Sequence, residues 1–563
     1  MGLGLGLRLG LGGAGVLGAG VAWFVSSSTG SDANDGRSAG TPLATFGALT
    51  SQPDLASGQT INLDRGSVWQ EEFRQGSLNG LTIDAYGSGP KPIIDAGKNL
   101  TTGDFSLSAH PDAGVNTYQF AHVADTGAGG PSSTDTYAVW QKTAGGIWRI
   151  LRQANSVANV QATPGSYFYA AMADPGGSMV LYVHPVGSIN PTTDGEFSVS
   201  NRRYTLWVGD NCTVRNLQSM RALGKDSFKM GLNSTIENVD WLYAASHHCV
   251  INSGSMKGCT CNYGGNITWY HGDPSQESYH MEGCTFSHGI EEEGLWGGET
   301  GMVIHGTGGA RAYLNGTMVN CTIRNNGPVG TLWAQNLVLE DNEFINIGVI
   351  FAGEGVAGTK LRAERNFFRY DFAGRSANTL SGTTTFASSN SGFLTLSQEC
   401  DILGNKFYFN SEAPAPGRWM GAAGGTNTSI ARIINNSFFQ EGSLITTQNC
   451  IGFGPTLTNE FIFERNILDA ARCFYLTRFS SVPDSMTLNG NLYHQKGGSG
   501  KQSRIDSTDY NTLADWQALG YDLNSIVINP GFVDPANGDF TTTGAGATAA
   551  AERSAGVEYY VAP

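Results

Sequence analysis

A chain of 563 residues is too long for one compact core, so it reads as several domains or as a repeat. Its 77 glycines and its 14% content of charged residues favour many short strands joined by tight turns and make an all-α fold a poor reading. A net charge of −15, with 33 Lys and Arg spread along the chain, argues against a surface that tracks nucleic-acid phosphates, and disfavours a strongly anionic polymer unless local basic groups or a bound cation offset the repulsion.

Residues 2–11 alternate Gly and Leu around Arg8, and a small-residue stretch follows up to Trp23-Phe24-Val25. Two readings of residues 1–22 stay open. One is a strand-like anchor peptide that docks onto a larger assembly through a leucine-bearing face; the other is a signal peptide cleaved after Ala22. The anchor is favoured, because the only charge lies inside the apolar run and the glycines make a poor helix. Glycine and the interrupted apolar run also argue against a membrane span.

Residues 23–97 read as the opening coils of a solenoid. Residues 98–205 break the pattern and carry IWRIL at 147–151, PGSYFYAA at 164–171 and MVLYVHP at 179–185, which reads as a small β-rich insertion. The main body, 206–545, repeats a small or polar residue, a strand former, an aliphatic residue, polar residues, then often Asn and an aromatic. Copies include NCTVRNL at 211–217, STIENV at 234–239, GCTFSHG at 283–289, NCTIRNN at 320–326, CDILGNKF at 400–407 and FIFERNIL at 461–468. Residues 546–563 form a short Gly/Ala-rich tail.

Thr213, Thr235, Thr260 and Thr285 are separated by 22, 25 and 25 residues, one turn of a solenoid with three short strands. Asn342, Asn366, Asn405, Asn436, Asn466 and Asn491 occupy like positions, where Asn tolerates left-handed backbone angles and can hydrogen-bond along a stack of turns. The nine cysteines contain no Cys-x-x-Cys pair, so they read as buried free thiols inside coils. The fold expected is all-β, a right-handed parallel β-helix with a β-rich insertion. Roughly fourteen coils at about 4.8 Å each would make a rod about 65 Å long.

The window 226–311 is chemically distinct. Six of the ten histidines, His247, His248, His271, His280, His288 and His305, fall within 59 residues, where an even spread gives about one. Glu282 and Glu291–Glu293 share the window with Trp269, Tyr270, Tyr279 and Trp296. Sugar sites use this mixture: aromatic faces stack on pyranose C–H groups, while carboxylates and imidazoles hydrogen-bond hydroxyls and move protons. Asp226, Glu282 and Glu292 are the candidate carboxylates, since hydrolysis needs two, spaced about 5.5 Å for retention or 6.5–9.5 Å for inversion, and adjacent or next-adjacent coils supply both spacings. A lyase would instead use His247, His271 or Tyr270 as base, with Arg311 or Lys225 stabilising charge. The acidic balance favours hydrolysis. Trp269, Tyr270, Tyr279, Trp296 and Arg311 are the substrate-binding candidates. No cofactor is called for and no metal-ligand spacing occurs, although a loop-bound Ca²⁺ held by carboxylates stays open.

The segments FVSSSTGSDANDGRSAGTPLATFGAL at 24–49, AYGSGPKPIIDAG at 85–97 and DYNTLADWQALGYDLNSIVINPGFVDPANGDF at 509–540 resemble the first and last coils of secreted and phage-borne β-helix proteins. Together with the Gly-Leu start, the whole looks most similar to phage tailspikes and polysaccharide-degrading β-helices. That resemblance implies a homotrimer on a virion, joined to phage tail or baseplate proteins by its N-terminus, that binds and depolymerises a bacterial surface polysaccharide. A non-catalytic tail fibre and a secreted polysaccharide lyase or hydrolase are the alternatives. The chain departs from the tailspike pattern in lacking an evident trimerisation module after Phe540.

Overall fold

The computed structural model describes residues 20–562 apart from 123–137, 143, 147, 170–178, 223–225, 244–246, 252, 263–265, 270–277, 288–300, 305–312, 325–328, 333, 346–348, 353–358, 371–391, 397, 411–417, 423–428, 442–448, 453–458, 471–484, 497–502, 506–507 and 511. The chain is a parallel β-helix. Three long sheets run along the rod: sheet A with 14 strands, from Ala22–Val25 to Ser485–Asn489; sheet B with 14, from Val68–Trp69 to Ile526–Val527; and sheet C with 11, from Phe73–Gln75 to Asn449–Gly452. One coil takes a strand from each, as in Asp226–Met230 of sheet C, Ser234–Glu237 of sheet A and Asp240–Leu242 of sheet B. The fourteen-strand sheets match the number of coils that the spacing predicts.

Strands alternate inward apolar and outward polar residues, and like residues stack in register. Ile61, Ile83, Val214, Ile236, Met256, Met281, Met318 and Leu339 pair strand by strand along sheet A and are all buried. On sheet B the rings of Phe344, Phe368, Phe407 and Phe438 stack at 5.0, 4.8 and 4.6 Å with planes within 8°. No coil can bury its apolar face alone; each such stack contributes about 0.5–1.5 kcal/mol per aromatic pair beyond area burial.

The corner from sheet A to sheet B is built by a two-residue device. Asn216, Asn238, Gly258, Gly283, Asn320, Asp341, Arg365, Gly404, Asn435, Arg465 and Gly490 all have φ between 52° and 65°. The residue after each turns inward, giving the order Leu217, Val239, Cys259, Cys284, Cys321, then Asn342 through Asn491, all buried. The sequence reading is corrected here in one respect: the left-handed angle falls on the residue before each of these asparagines. Their bonding along the stack is as expected. Asn366 Oδ1 accepts from the backbone N–H and Nδ2 of Asn342 at 3.0 and 2.9 Å, and Asn342 Nδ2 also donates to the Met318 carbonyl at 2.8 Å. The pattern repeats at Asn366–Asn405, Asn405–Asn436, Asn436–Asn466 and Asn466–Asn491. Asp522 and Ser525 close the ladder on Asn491.

The threonine spacing has the right period but mixes two faces. Thr213 pairs with Thr235 on sheet A, and Thr260 with Thr285 on sheet B, while the partner of Thr235 in the next coil is Ser255. Six cysteines, Cys212, Cys259, Cys261, Cys284, Cys321 and Cys400, are free and buried, as the sequence implies.

Between Gly97 and Ser200 the chain leaves the rod to form a four-stranded and a five-stranded sheet around Phe105, Phe120, Trp140, Tyr167, Leu181 and Val199. The insertion is fastened to the rod where Arg221, itself buried, donates to both carboxylate oxygens of buried Asp95 and lies over the Trp148 ring. After Val527 the chain folds back: the helix Gly544–Arg553 sets Ala549 and Ala550 against Ile467 and Leu492, and Asn435 Nδ2 donates to the Ser554 and Gly556 carbonyls. Residues 546–562 are thus packed onto the rod.

Candidate functional site

The outer face of sheet A carries one continuous polar column. Thr60, Thr82, Thr213, Thr235, Ser255, His280 and Thr317 are register partners on seven successive strands, and each is half-buried with its neighbours on the strand pointing inward. Hydroxyl and imidazole groups both donate and accept hydrogen bonds, so the column offers a line of two-way partners at one strand spacing, about 4.8 Å. Beside it runs a charged column of alternating sign, Arg215, Glu237, Lys257 and Glu282. Arg215 Nε donates to Asp84 at 2.7 Å, and Lys257 Nζ lies 2.9 Å from Glu282.

Glu282 is the expected catalytic carboxylate that the structure describes fully. It is partly exposed on this face, with His280 Nε2 3.9 Å from its carboxylate. The hydrogen bond from Lys257, followed by that ammonium's charge, holds the Glu282 carboxyl below the ordinary glutamate range and raises the Lys257 ammonium in turn. Such a carboxylate is suited to attack or to base chemistry; an acid would need a raised value.

Asp226 and His247 are register partners on adjacent strands of sheet C, and His247 pairs in turn with Asn266, three residues before Trp269 on its strand. These backbones thus come together on the sheet that precedes sheet A in each coil. Glu292, His271, Tyr270, Trp296 and Arg311 lie outside the described residues. Tyr279 requires a correction. It is 2% exposed, so its ring faces the interior of the rod and offers no surface to a sugar. Register explains this: its partners above and below are Gly254 and Gly316, and a Cβ at Gly316 would collide with the phenol. Burial pushes the Tyr279 phenol up.

Sequence reasoning missed a second polar group on the outer face of sheet B. His494 Nδ1 lies 2.7 Å from Asp469 Oδ1, and Lys496 Nζ lies 3.3 Å from the same oxygen; Asp469 is 5% exposed and His494 29%. Lys496 also reaches across to the Gln440 carbonyl at 2.7 Å and over the Phe439 ring at 3.7 Å, while Tyr408 Oη donates to Glu441 at 2.6 Å. A signal was present, since Tyr408, Phe439, Asp469 and His494 are each three residues after a ladder asparagine and are partners in register. Among the described residues, no group of three His, Cys, Asp or Glu side chains is placed to hold a metal ion, and no helix is long and apolar enough to cross a membrane.

No protein-family model matches the chain, and no curated protein matches it. Among solved structures it is similar to the native GH136 lacto-N-biosidase from Eubacterium ramulus, at 10% identity and a TM-score of 0.28 over 90% of this chain and 67% of that one. The selenomethionine derivative of that enzyme gives 11% identity and a TM-score of 0.25 over 87% and 68%. A likeness at that level carries no argument about what this chain does.

Proposed function

We propose that this chain binds a polysaccharide along the outer face of sheet A and hydrolyses it beside Glu282. The observation that carries the reading is the seven-strand column from Thr60 to Thr317, whose hydroxyl and imidazole groups match the donor and acceptor demands of a sugar polymer laid along the rod. Glu282, kept ionised by Lys257, acts as nucleophile or base, and Glu292 supplies the acid; Asp226, whose strand belongs to sheet C, is out of register with Glu282 on sheet A. His247 and His271 serve proton movement, and Trp269, Tyr270, Trp296 and Arg311 hold the sugar. The finer reading, supported by the resemblance of the first and last coils, is a homotrimeric phage tailspike attached through residues 1–22 and acting on a bacterial surface polysaccharide; a secreted enzyme is its alternative.

Incubation with bacterial surface polysaccharides, reading both new reducing ends and the ultraviolet absorbance of unsaturated uronates, tests the proposal. Reducing ends without absorbance support hydrolysis. Absorbance supports a lyase instead, and no fragments from any polysaccharide that the protein binds would leave a non-catalytic receptor-binding rod.

A further inference from the structure

On the outer face of sheet C, next to the point where the insertion returns to the rod, three register partners form a cation–aromatic–cation stack. Arg74 pairs with Trp207, and Trp207 with Lys229. The Arg74 guanidinium carbon and the Lys229 ammonium each lie 4.5 Å from the Trp207 ring, and Lys229 lies 5.9 Å from the Tyr204 ring, which packs against Trp207 at 5.3 Å. Gly76 makes room for the indole, since a Cβ there would collide with its nitrogen.

The two charges differ from several outward cations of the rod that are ion-paired. Arg215, Lys257, Arg324, Lys360 and Arg432 each have a carboxylate within 3.2 Å. Arg74 and Lys229 have no ion-pair partner among the described residues. Glu71, three residues before Arg74 in sequence, accepts through Oε2 from the Phe46 and Gly47 backbone N–H groups at 2.8 and 3.4 Å. Both cations lie 4.5 Å from one ring, so they stand within about 9 Å of each other, comparable to the screening length at physiological salt. In a chain of net charge −15, two like charges held this close with no carboxylate paired to them among the described residues make a local basic site that the overall balance conceals. The aromatic ring between them sets their separation and leaves its outer edge as the apolar part of the site.

We propose that Arg74, Trp207 and Lys229 form a subsite for an anionic sugar unit, whose carboxylate or ester oxyanion is attracted by both cations at the outer edge of the Trp207 ring that separates them. This rests on the reading of the rod as a glycan binder and narrows its ligand to an acidic polysaccharide. Uronate carboxylates, sulfate esters and phosphate esters share the chemistry.

The test is affinity electrophoresis of the full chain, and of Arg74→Gln and Lys229→Gln singly and together, through gels holding oligogalacturonate, carboxyl-reduced oligogalacturonate, dextran sulfate, a teichoic-acid-type polyphosphate, neutral dextran or single-stranded DNA. The thermal transition checks that each variant folds. The expected result is retention by at least one anionic glycan about tenfold stronger than by the neutral polymers, lost in the double variant and at high salt; the uronate, sulfate and phosphate arms identify the oxyanion. Equal retention by charged and neutral glycans, unchanged retention of the double variant, or strongest retention by DNA would overturn the inference and leave the glycan-binding face of sheet A standing or falling on its own test. No retention by any polymer, including bacterial surface polysaccharides run alongside, would overturn both.

Discussion

The Lys257 ammonium lies 2.9 Å from the Glu282 carboxylate one strand further along the face of sheet A. The pair sets the protonation state of the one expected catalytic carboxylate whose surroundings are fully described. Its carboxyl is depressed, so any function of ionised Glu282 is fully present above the ordinary glutamate pKa and is lost only as pH falls through the lowered value. Replacing Lys257 by Ala returns the carboxyl towards the ordinary range, and the acid limb of the binding or cleavage profile moves to higher pH. Titration followed by carboxyl-carbon NMR checks the shift directly; an unmoved acid limb in the variant shows that Glu282 is not the titrating group.

Asn405 donates to the Ala363 carbonyl at 2.8 Å and accepts from the Asn366 backbone and side chain at 2.9 and 3.0 Å, all inside the rod. Asn405→Ala leaves these groups unsatisfied and should lower stability by about 1–3 kcal/mol. Denaturant unfolding measures it, and Asn405→Asp should be no milder, because a carboxylate cannot donate to the carbonyl.

Two glycines at the same corner separate backbone from packing effects. Gly283 has φ of 61° with open space at its Cβ position, so Gly283→Ala should cost about 1–2 kcal/mol from the left-handed conformation alone. Gly404 has φ of 58°, and a Cβ there would lie 2.5 Å from the Tyr560 ring. Gly404→Ala should therefore cost more, and should expose the chain after Val527 to limited proteolysis while Gly283→Ala does not.

Tyr279, buried against Gly254 and Gly316, is a core residue. Tyr279→Ala should lower stability by about 3–5 kcal/mol. Tyr279→Phe should leave glycan affinity unchanged; a loss of affinity in a stably folded Phe variant would return the residue to the surface.

Much of the fold was legible because the β-helix repeats its errors as well as its rules. The period read from Thr213, Thr235, Thr260 and Thr285 gave the coil and its three strands, but both corners place a small or polar residue before a strand, so the phase slipped from sheet A to sheet B between Thr235 and Thr260. The asparagine ladder was visible as a recurrence, whereas the left-handed residue before it was not, since Asn, Asp, Arg and Gly all take that place. Tyr279 was misread because burial in a coil depends on which residues sit above and below, here two glycines distant in sequence. The Asp469–His494 pair was hidden for the converse reason. Its members are 25 residues apart, outside the histidine-rich window, and meet only when the repeats are laid in register.

The claim that sheet A is the glycan-binding face is tested most directly by replacing Thr82, Thr213 and Thr235 together with Val, a change of hydroxyl to methyl on half-buried strand positions that suit β-branched side chains. Measured against the polysaccharide that the unaltered chain retains most strongly, affinity should fall by about tenfold or more with the thermal transition unchanged, three lost hydrogen bonds at about 0.5–1.5 kcal/mol each accounting for it. Undiminished affinity in a folded triple variant would contradict the account and move the binding face elsewhere on the rod.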